Sequence, residues 1–156
     1  MQGKIALKEH VASEPTLGDS KVFGAHVWND LGPRLIDVQD MRLREMDKYG
    51  VEMMILSLNA PAVQAIPDIK TAIAVAKQAN DTLAAEVRKR PARFSAFAAL
   101  PMQDPEAATA ELTRCVKELG FVGALVNGFS QITDPENVTY YDLPQYRPFW
   151  RALEAL

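Results

Sequence analysis

Three charged or metal-ligating side chains stand together near the start of the sequence, in the segment GKIALKEH. Lys8, Glu9 and His10 follow a short apolar run that begins at Ile5. A neutral imidazole combined with carboxylates is a common ligand set for divalent metal ions. If the segment is a strand, residues 8 and 10 share one face, because strand side chains alternate. His10 is therefore a candidate metal ligand, and the alternative is a polar residue that only ends a strand.

Polar side chains also follow the later apolar runs. Ser57 and Asn59 occur in LSLNAP, Gln103 and Asp104 in LPMQDP, and Asn127 in LVNGFS. Catalytic groups of parallel α/β proteins gather at the carboxyl ends of the strands. We expect the Asn127 amide either to face a substrate or to serve only as a turn residue.

A long segment between the first two apolar runs contains Phe23, His26 and Trp28. Aromatic side chains on a loop above a strand end can form the wall of an apolar pocket, or they can pack beneath the loop. His26 has no partner at ligand spacing, so we expect it at the surface.

Strands and helices must position these residues, and the sequence pattern predicts that a strand followed by a helix occurs repeatedly. Four short apolar runs cover residues 4–8, 51–58, 93–100 and 121–127. Short, non-alternating apolar runs are typical of strands buried on both faces of a parallel sheet. The order predicts a parallel α/β fold, for which a doubly wound sheet and a (β/α)-barrel are both possible. Neither a dinucleotide-binding glycine motif nor a Walker phosphate loop follows a strand, which weakens the nucleotide-binding version.

Helical periodicity covers residues 34–50, 68–90 and 104–120, and a last helix begins near Pro144. Asp104 and Pro105 mark a helix start, and Gly50 and Gly120 mark helix ends. Asn80 lies within an apolar helix face, where a polar group needs a hydrogen-bond partner. The single cysteine, Cys115, belongs to an apolar stripe and is expected in the core rather than as a nucleophile.

The overall composition is that of a globular protein. The chain has 156 residues, 48% of them hydrophobic and 24% charged, with a net charge of −3. These values exclude a disordered chain and give no basic surface for nucleic acid or membranes. No signal peptide and no run near the roughly 18 apolar residues of a membrane span is visible. One cysteine fits a reducing compartment, so we expect a soluble cytoplasmic protein.

Several long strings in the sequence resemble one known family. MQGKIALKEH, ILSLNAPAVQAIPD, KRPARFSAFAALPMQDPEAA, ELTRCVKELGFVGALVNGFSQ and YYDLPQYRPFW are similar to the aromatic-acid decarboxylases of the amidohydrolase superfamily. The likeness is greatest to the branch acting on γ-resorcylate (2,6-dihydroxybenzoate), and the branches acting on 2,3-dihydroxybenzoate and salicylate are its relatives. It covers nearly the whole chain without large gaps.

The resemblance implies a (β/α)8 barrel with one divalent metal ion: zinc, manganese or magnesium. It implies reversible, non-oxidative decarboxylation of an ortho-hydroxybenzoate, in a homotetramer. The metal is expected to chelate the substrate carboxylate and phenol oxygen, after which an acid protonates the ring carbon and CO2 leaves. Two alternatives remain open: a hydrolase or lactonase of the same superfamily, and a non-catalytic half-barrel.

The resemblance also assigns individual residues. The family pattern in the first strand is Glu-Glu-His, in which the first Glu and the His approach the metal. Here Lys8 stands in the place of that first Glu, and its ammonium group has no lone pair and repels a cation. His10 matches the family histidine, Phe23 an aromatic residue of the ring pocket, and Asn127 an amide near the substrate. Residues 59–61 match a segment that borders the same pocket.

The family's second metal-binding His and its catalytic Asp lie beyond residue 156. We therefore expect residues 1–156 to form the N-terminal half of a single barrel domain, about the first four β/α units. We expect that half alone to be inactive.

Overall fold

The computed structural model describes residues 3–13, 16–18 and 25–156. In this part of the chain the β-strands are β1 (Lys4–Val11), β2 (Val51–Leu58), β3 (Phe94–Ala96), β4 (Ala98–Ala99), β5 (Ala124–Leu125), β6 (Phe129–Ile132) and β7 (Asp134–Tyr140). The α-helices are α1 (Ala25–Ile36), α2 (Met41–Tyr49), α3 (Ile69–Lys89), α4 (Pro105–Lys117) and α5 (Arg147–Ala155). Short 3-10 helices occupy Ala62–Ala65 and Pro144–Tyr146.

The strands follow one another in space in the same order as in the sequence. β1 pairs with β2 and β2 with β3, and β4 pairs with β5, all in parallel. Phe97 separates β3 from β4 and donates its N–H to the carbonyl of Leu56 at 2.8 Å, while Val122 donates to Ala96 at 3.1 Å. A doubly wound sheet reverses its strand order at a switch point, whereas a barrel does not. The topology therefore favours the barrel over the doubly wound alternative.

The two faces of β2 have different environments. Leu56 packs in a buried cluster with Met46 of α2 and Leu83 of α3. Leu58 lies in a second cluster with Ala76 of α3. Because side chains alternate along a strand, the residues between them face away from the helices. In a barrel that second face is the interior.

Two helix starts agree with the sequence prediction. The carboxylate of Asp68 accepts the N–H of Thr71 at 2.9 Å at the start of α3. The Asp104 carboxylate accepts the N–H groups of Glu106 and Ala107 at the start of α4. These bonds satisfy amide groups that have no partner inside the helix.

The predicted single helix over residues 34–50 was wrong, because the chain breaks into α1 and α2. At the break, the Asp37 carboxylate accepts the N–H groups of Asp40 and Met41 at 2.9 and 3.2 Å. An aspartate that bonds neighbouring backbone in this way competes with the helix. Gly50 does end α2, in the left-handed conformation with φ 65°.

Asn80 and Cys115 have the structural roles expected of them. The Asn80 side chain is fully buried and exchanges two hydrogen bonds with the backbone of Ala99. Cys115 is buried in the main core, and burial raises the pKa of its thiol far above the usual range. His26 is exposed on α1, as expected.

The antiparallel hairpin formed by β6 and β7 was not predicted. It follows the last parallel strand and makes no ladder with the parallel sheets. Across the described ranges, no helix has both the length and the apolar character needed to cross a membrane.

Candidate metal and substrate site

The end of β1 that carries the candidate metal ligand is irregular. Ala6 pairs with Met54 and Glu9 with Leu56, so β1 advances three residues where β2 advances two. Lys8 lies at this shift with φ 62°, and its side chain is exposed. The left-handed conformation costs a non-glycine residue roughly 1–2 kcal/mol. The regular alternation predicted for residues 8–10 is therefore interrupted by a bulge-like extra residue.

His10 and Ser57 form a register pair on neighbouring strands. Ser57 lies between Leu56 and Leu58, so it faces away from the helix layer. In the part of the chain that the structure describes, the Nε2 atom of His10 and the Oγ atom of Ser57 are buried without a hydrogen-bond partner. An unpaired buried polar group costs about 1–3 kcal/mol. A bound water, ion or ligand can complete the bonding of two such neighbouring groups.

The electrostatic environment favours the neutral form of the His10 imidazole by lowering its pKa. Burial is the main factor that lowers its pKa, followed by the positive charge of Lys8, and the nearby Arg42 acts in the same direction. The negative charge of Glu9 opposes these effects. A neutral imidazole retains the lone pair that a metal ion binds.

Arg42 holds the carboxyl end of β1 in place. Its Nη2 group donates to the carbonyl of His10 at 2.6 Å and to the carbonyl of Arg34 at 3.0 Å. The His10 backbone is thereby tied to α1 and α2, whatever occupies the imidazole.

Asn59 is a structural link between the loops that follow β1 and β2. Its N–H donates to the carbonyl of Val11 at 2.8 Å. Its side-chain Nδ2 donates to the carbonyl of Thr16 at 2.9 Å, and its Oδ1 accepts the Thr16 hydroxyl at 2.9 Å. Asn59 therefore fixes the start of the first long loop against the end of β2.

Gln103 holds the 3-10 helix that follows β2. Its Nε2 group donates to the carbonyls of Val63 and Ile66, both at 2.7 Å. The strand-end residues Gln103 and Asp104 thus serve the backbone, one as a loop clamp and the other as a helix cap.

Asn127 lies two residues beyond β5, and its backbone is held by Gln64. The Asn127 N–H donates to Oε1 of Gln64 at 2.8 Å, and the Asn127 carbonyl accepts from Nε2 at 3.3 Å. Asn127 also lines a small cavity with Asn59, Leu58 and Ala99. Because the strands are parallel, His10 and Asn127 both lie at the carboxyl edge of the sheet.

Sequence comparison identifies the family. The amidohydrolase family model matches residues 23–156 of the chain. The chain belongs to the amidohydrolase family.

Individual members of the amidohydrolase family are closely similar. The γ-resorcylate decarboxylase of Rhizobium radiobacter is 64% identical over 157 residues, which cover 100% of this chain and 48% of that protein. A solved structure of 2,6-dihydroxybenzoate decarboxylase in complex with 2,6-dihydroxybenzoate has a TM-score of 0.97 and 63% identity, covering 99% of this chain and 48% of that one. A dihydroxybenzoic acid decarboxylase from Polaromonas sp. JS666, solved with bound manganese and the inhibitor 2-nitroresorcinol, has a TM-score of 0.96 and 60% identity, covering 99% and 47%.

The chain spans about half the length of the curated relatives it matches. Its strands and helices superpose on the first part of the amidohydrolase barrel. The predicted barrel class is confirmed.

The residues of this chain fit one position of a metal site. The buried Nε2 of His10 is a suitable donor, and nothing in the described residues competes for it. Lys8 offers no lone pair. No cluster of three or more His, Cys, Asp or Glu side chains able to hold an ion occurs within residues 3–13, 16–18 and 25–156. His10 is therefore a candidate for one ligand, and the described residues do not offer a complete coordination shell.

The structure describes only some of the other residues predicted for the site. Phe23 lies outside the described residues. His10 and Asn127 both follow the carboxyl ends of parallel strands, but they line different cavities, so their action at one site stays a prediction. Gln64 was missed, although a glutamine within the apolar segment NAPAVQAI is an unusual residue at that place.

Proposed function

We propose that this chain acts in a metal-dependent, non-oxidative decarboxylase of an ortho-hydroxybenzoate, with 2,6-dihydroxybenzoate as the substrate. The observation that supports it best is the buried, unpartnered Nε2 of His10 at the carboxyl end of β1. The activities named for the similar amidohydrolases agree with it. In this proposal, residues 1–156 form the N-terminal half of one barrel domain.

Such an enzyme must hold a planar aromatic acid while its ring carbon gains a proton and CO2 leaves. A divalent ion, manganese, zinc or magnesium, supplies Lewis acidity toward the substrate oxygens when it is bound. His10 would contribute Nε2 to that ion. Asn127 would donate its side-chain amide to a substrate oxygen, and Phe23 would lie against the ring. The proton donor is not among the residues we assign, and the resemblance places it beyond residue 156.

The proposal extends to assembly and location. It assumes a homotetramer in the cytoplasm, a small aromatic carboxylic acid as the ligand, and no nucleic-acid or membrane partner. The net charge of −3 and the mixed surface charges support the last point.

A chimera tests the proposed activity. Residues 1–156 replace the matching segment of the Rhizobium radiobacter relative, and CO2 release from 2,6-dihydroxybenzoate is measured with added Mn²⁺. We expect turnover that His10→Gln abolishes. His26→Gln is the matched control, because it changes the second histidine, which is exposed on α1.

The outcomes separate the open alternatives. A folded, metal-loaded chimera that releases no CO2, beside an active unmodified relative, would refute the proposed reaction and leave the hydrolase or lactonase alternative. A folded chimera that binds no metal in either the Lys8 or the Lys8→Glu form would favour a non-catalytic half-barrel. Residues 1–156 alone should release no CO2 above a metal-free blank.

A further inference from the structure

We infer that Gln64 is a positioning residue for Asn127, and that it acts on the substrate only through Asn127. This inference rests on the function proposed above. The decisive feature is one buried amide side chain that bonds both backbone groups of the residue expected to face the substrate.

The Gln64 side chain is 6% exposed and is fully used in hydrogen bonding. Oε1 accepts the Asn127 N–H at 2.8 Å, and Nε2 donates to the Asn127 carbonyl at 3.3 Å. The carbonyl of Phe129 at 3.1 Å and the hydroxyl of Tyr141 are also acceptors for Nε2, so its two N–H groups are shared among three acceptors. One side chain thus pairs with a segment 63 to 65 residues away.

The partners of Gln64 are themselves fixed. The Tyr141 hydroxyl also bonds the Oγ of Ser130 at 2.7 Å, and both residues are buried. On the other side, Gln103 holds the 3-10 helix that carries Gln64. The clamp therefore connects two loops at the carboxyl edge of the sheet through rigid contacts.

Asn127 itself has a fixed backbone and a free side chain. Within the described ranges its side-chain amide makes no hydrogen bond, while its backbone N–H and C=O are both bonded to Gln64. This combination favours a ligand contact, because a preorganised polar group loses little freedom when the ligand binds.

A double-mutant cycle in the chimera separates positioning from general stabilisation. Gln64→Met keeps the size of the side chain and removes all of its hydrogen bonds. We expect kcat/KM to fall about tenfold, the factor that corresponds to roughly one net hydrogen bond. The loss should appear mainly in KM, as it should for Asn127→Ala. In the Asn127→Ala background, Gln64→Met should have almost no further effect.

Controls exclude a merely structural role. Gln39→Met also removes a glutamine amide with two hydrogen bonds, but those bonds go to Glu86, away from the site. It should leave kcat/KM unchanged. Hydrogen exchange at the Asn127 N–H should accelerate in Gln64→Met only. If Gln64→Met does not fold, Gln64→Glu enters the same cycle, since it keeps the acceptor for the Asn127 N–H.

The results of the double-mutant cycle and of the turnover assay test the inference about Gln64 and the decarboxylase proposal separately. An equal loss from Gln64→Met in both backgrounds overturns it while the decarboxylase proposal stands. If the folded, metal-loaded chimera releases no CO2, that proposal fails, and the cycle is measured instead on the affinity for 2-nitroresorcinol, where the same non-additivity is expected. Absence of both turnover and 2-nitroresorcinol binding overturns the inference as well.

Discussion

Replacing Asn80 by alanine should destabilise the fold more than any exposed substitution on the same helix. Asn80 projects from α3, and its Nδ2 donates to the Ala99 carbonyl at 2.8 Å while its Oδ1 accepts the Ala99 N–H at 2.9 Å. Nδ2 also donates to Glu111 at 2.7 Å. The Asn80 side chain therefore supplies hydrogen-bond partners for both backbone groups of Ala99 in β4.

The expected loss in the free energy of unfolding follows from the backbone groups of Ala99 that Asn80→Ala leaves without a hydrogen-bond partner. The N–H and C=O of Ala99 would remain buried without these partners, at about 1–3 kcal/mol each. Glu111 loses less, because it keeps its bonds to Arg114 at 2.7 and 2.9 Å. We expect Asn80→Ala to reduce the free energy of unfolding by about 4 kcal/mol.

Urea denaturation followed by circular dichroism measures this difference. Gln78→Ala is the matched control, since Gln78 is exposed on α3 two residues away, and its effect should stay within about 0.5 kcal/mol. Asn80→Asp should be at least as harmful as Asn80→Ala, because a carboxylate cannot donate to Ala99 and repels Glu111. A loss from Asn80→Ala that is less than about 1 kcal/mol above the control would refute this account of the bonding.

Three further predictions concern the helix cap, the tyrosine network and the metal ligand. Asp104→Ala should lower the free energy of unfolding by about 1 kcal/mol, because two N–H groups of α4 lose their acceptor; Asp104→Ser should recover most of it. Burial raises the pKa of Tyr141 to about 12, so the unfolded phenol loses its proton first as the pH rises. The stability contributed by Tyr141 is therefore complete below pH 10 and falls by about 2 kcal/mol between pH 10 and 12. Tyr141→Phe should lack that part of the decline, and parallel pH curves for the two proteins would contradict the assignment. Lys8→Glu should raise Mn²⁺ occupancy of the chimera, because it replaces a positive charge that acts on His10 by a negative one; equal metal content would exclude the proposed role of Lys8.

The regular part of the fold was predictable because its determinants are local. Asp104 followed by Pro105 marks a helix start by types of residue alone. The apolar run 51–58 became β2 with the same bounds. The order of the four predicted strands, the third of which forms β3 and β4, follows from the repeated strand–helix pattern, which leaves few topologies open.

The irregular parts depend on contacts that no short segment specifies. The hairpin turns at Thr133, which has φ 61° and is neither a glycine nor an asparagine. Lys8 adopts φ 62° in the middle of a strand, although nothing in its residue type favours that conformation. In both places the tertiary structure imposes a backbone that local propensity disfavours.

The candidate site shows the same difference between residues recognised by their type and residues whose role depends on distant contacts. His10 could be proposed from the sequence because an imidazole carries its chemistry in its residue type. Gln64 was missed because its function lies in bonds to residues more than sixty positions away. A polar residue between apolar neighbours was the available indication, but it does not identify the partner.

The contacts that hold His10, the proposed metal ligand, are separate from the charge at residue 8. The carbonyl of His10 is fixed by Arg42, and the His10 side chain faces the same way as Ser57 in the neighbouring strand. Lys8 contributes to neither contact, since its side chain is exposed. A change at residue 8 therefore alters the electrostatic potential at Nε2 of His10 without altering the frame that holds it. Metal affinity and folding stability should consequently respond independently to substitutions at this position.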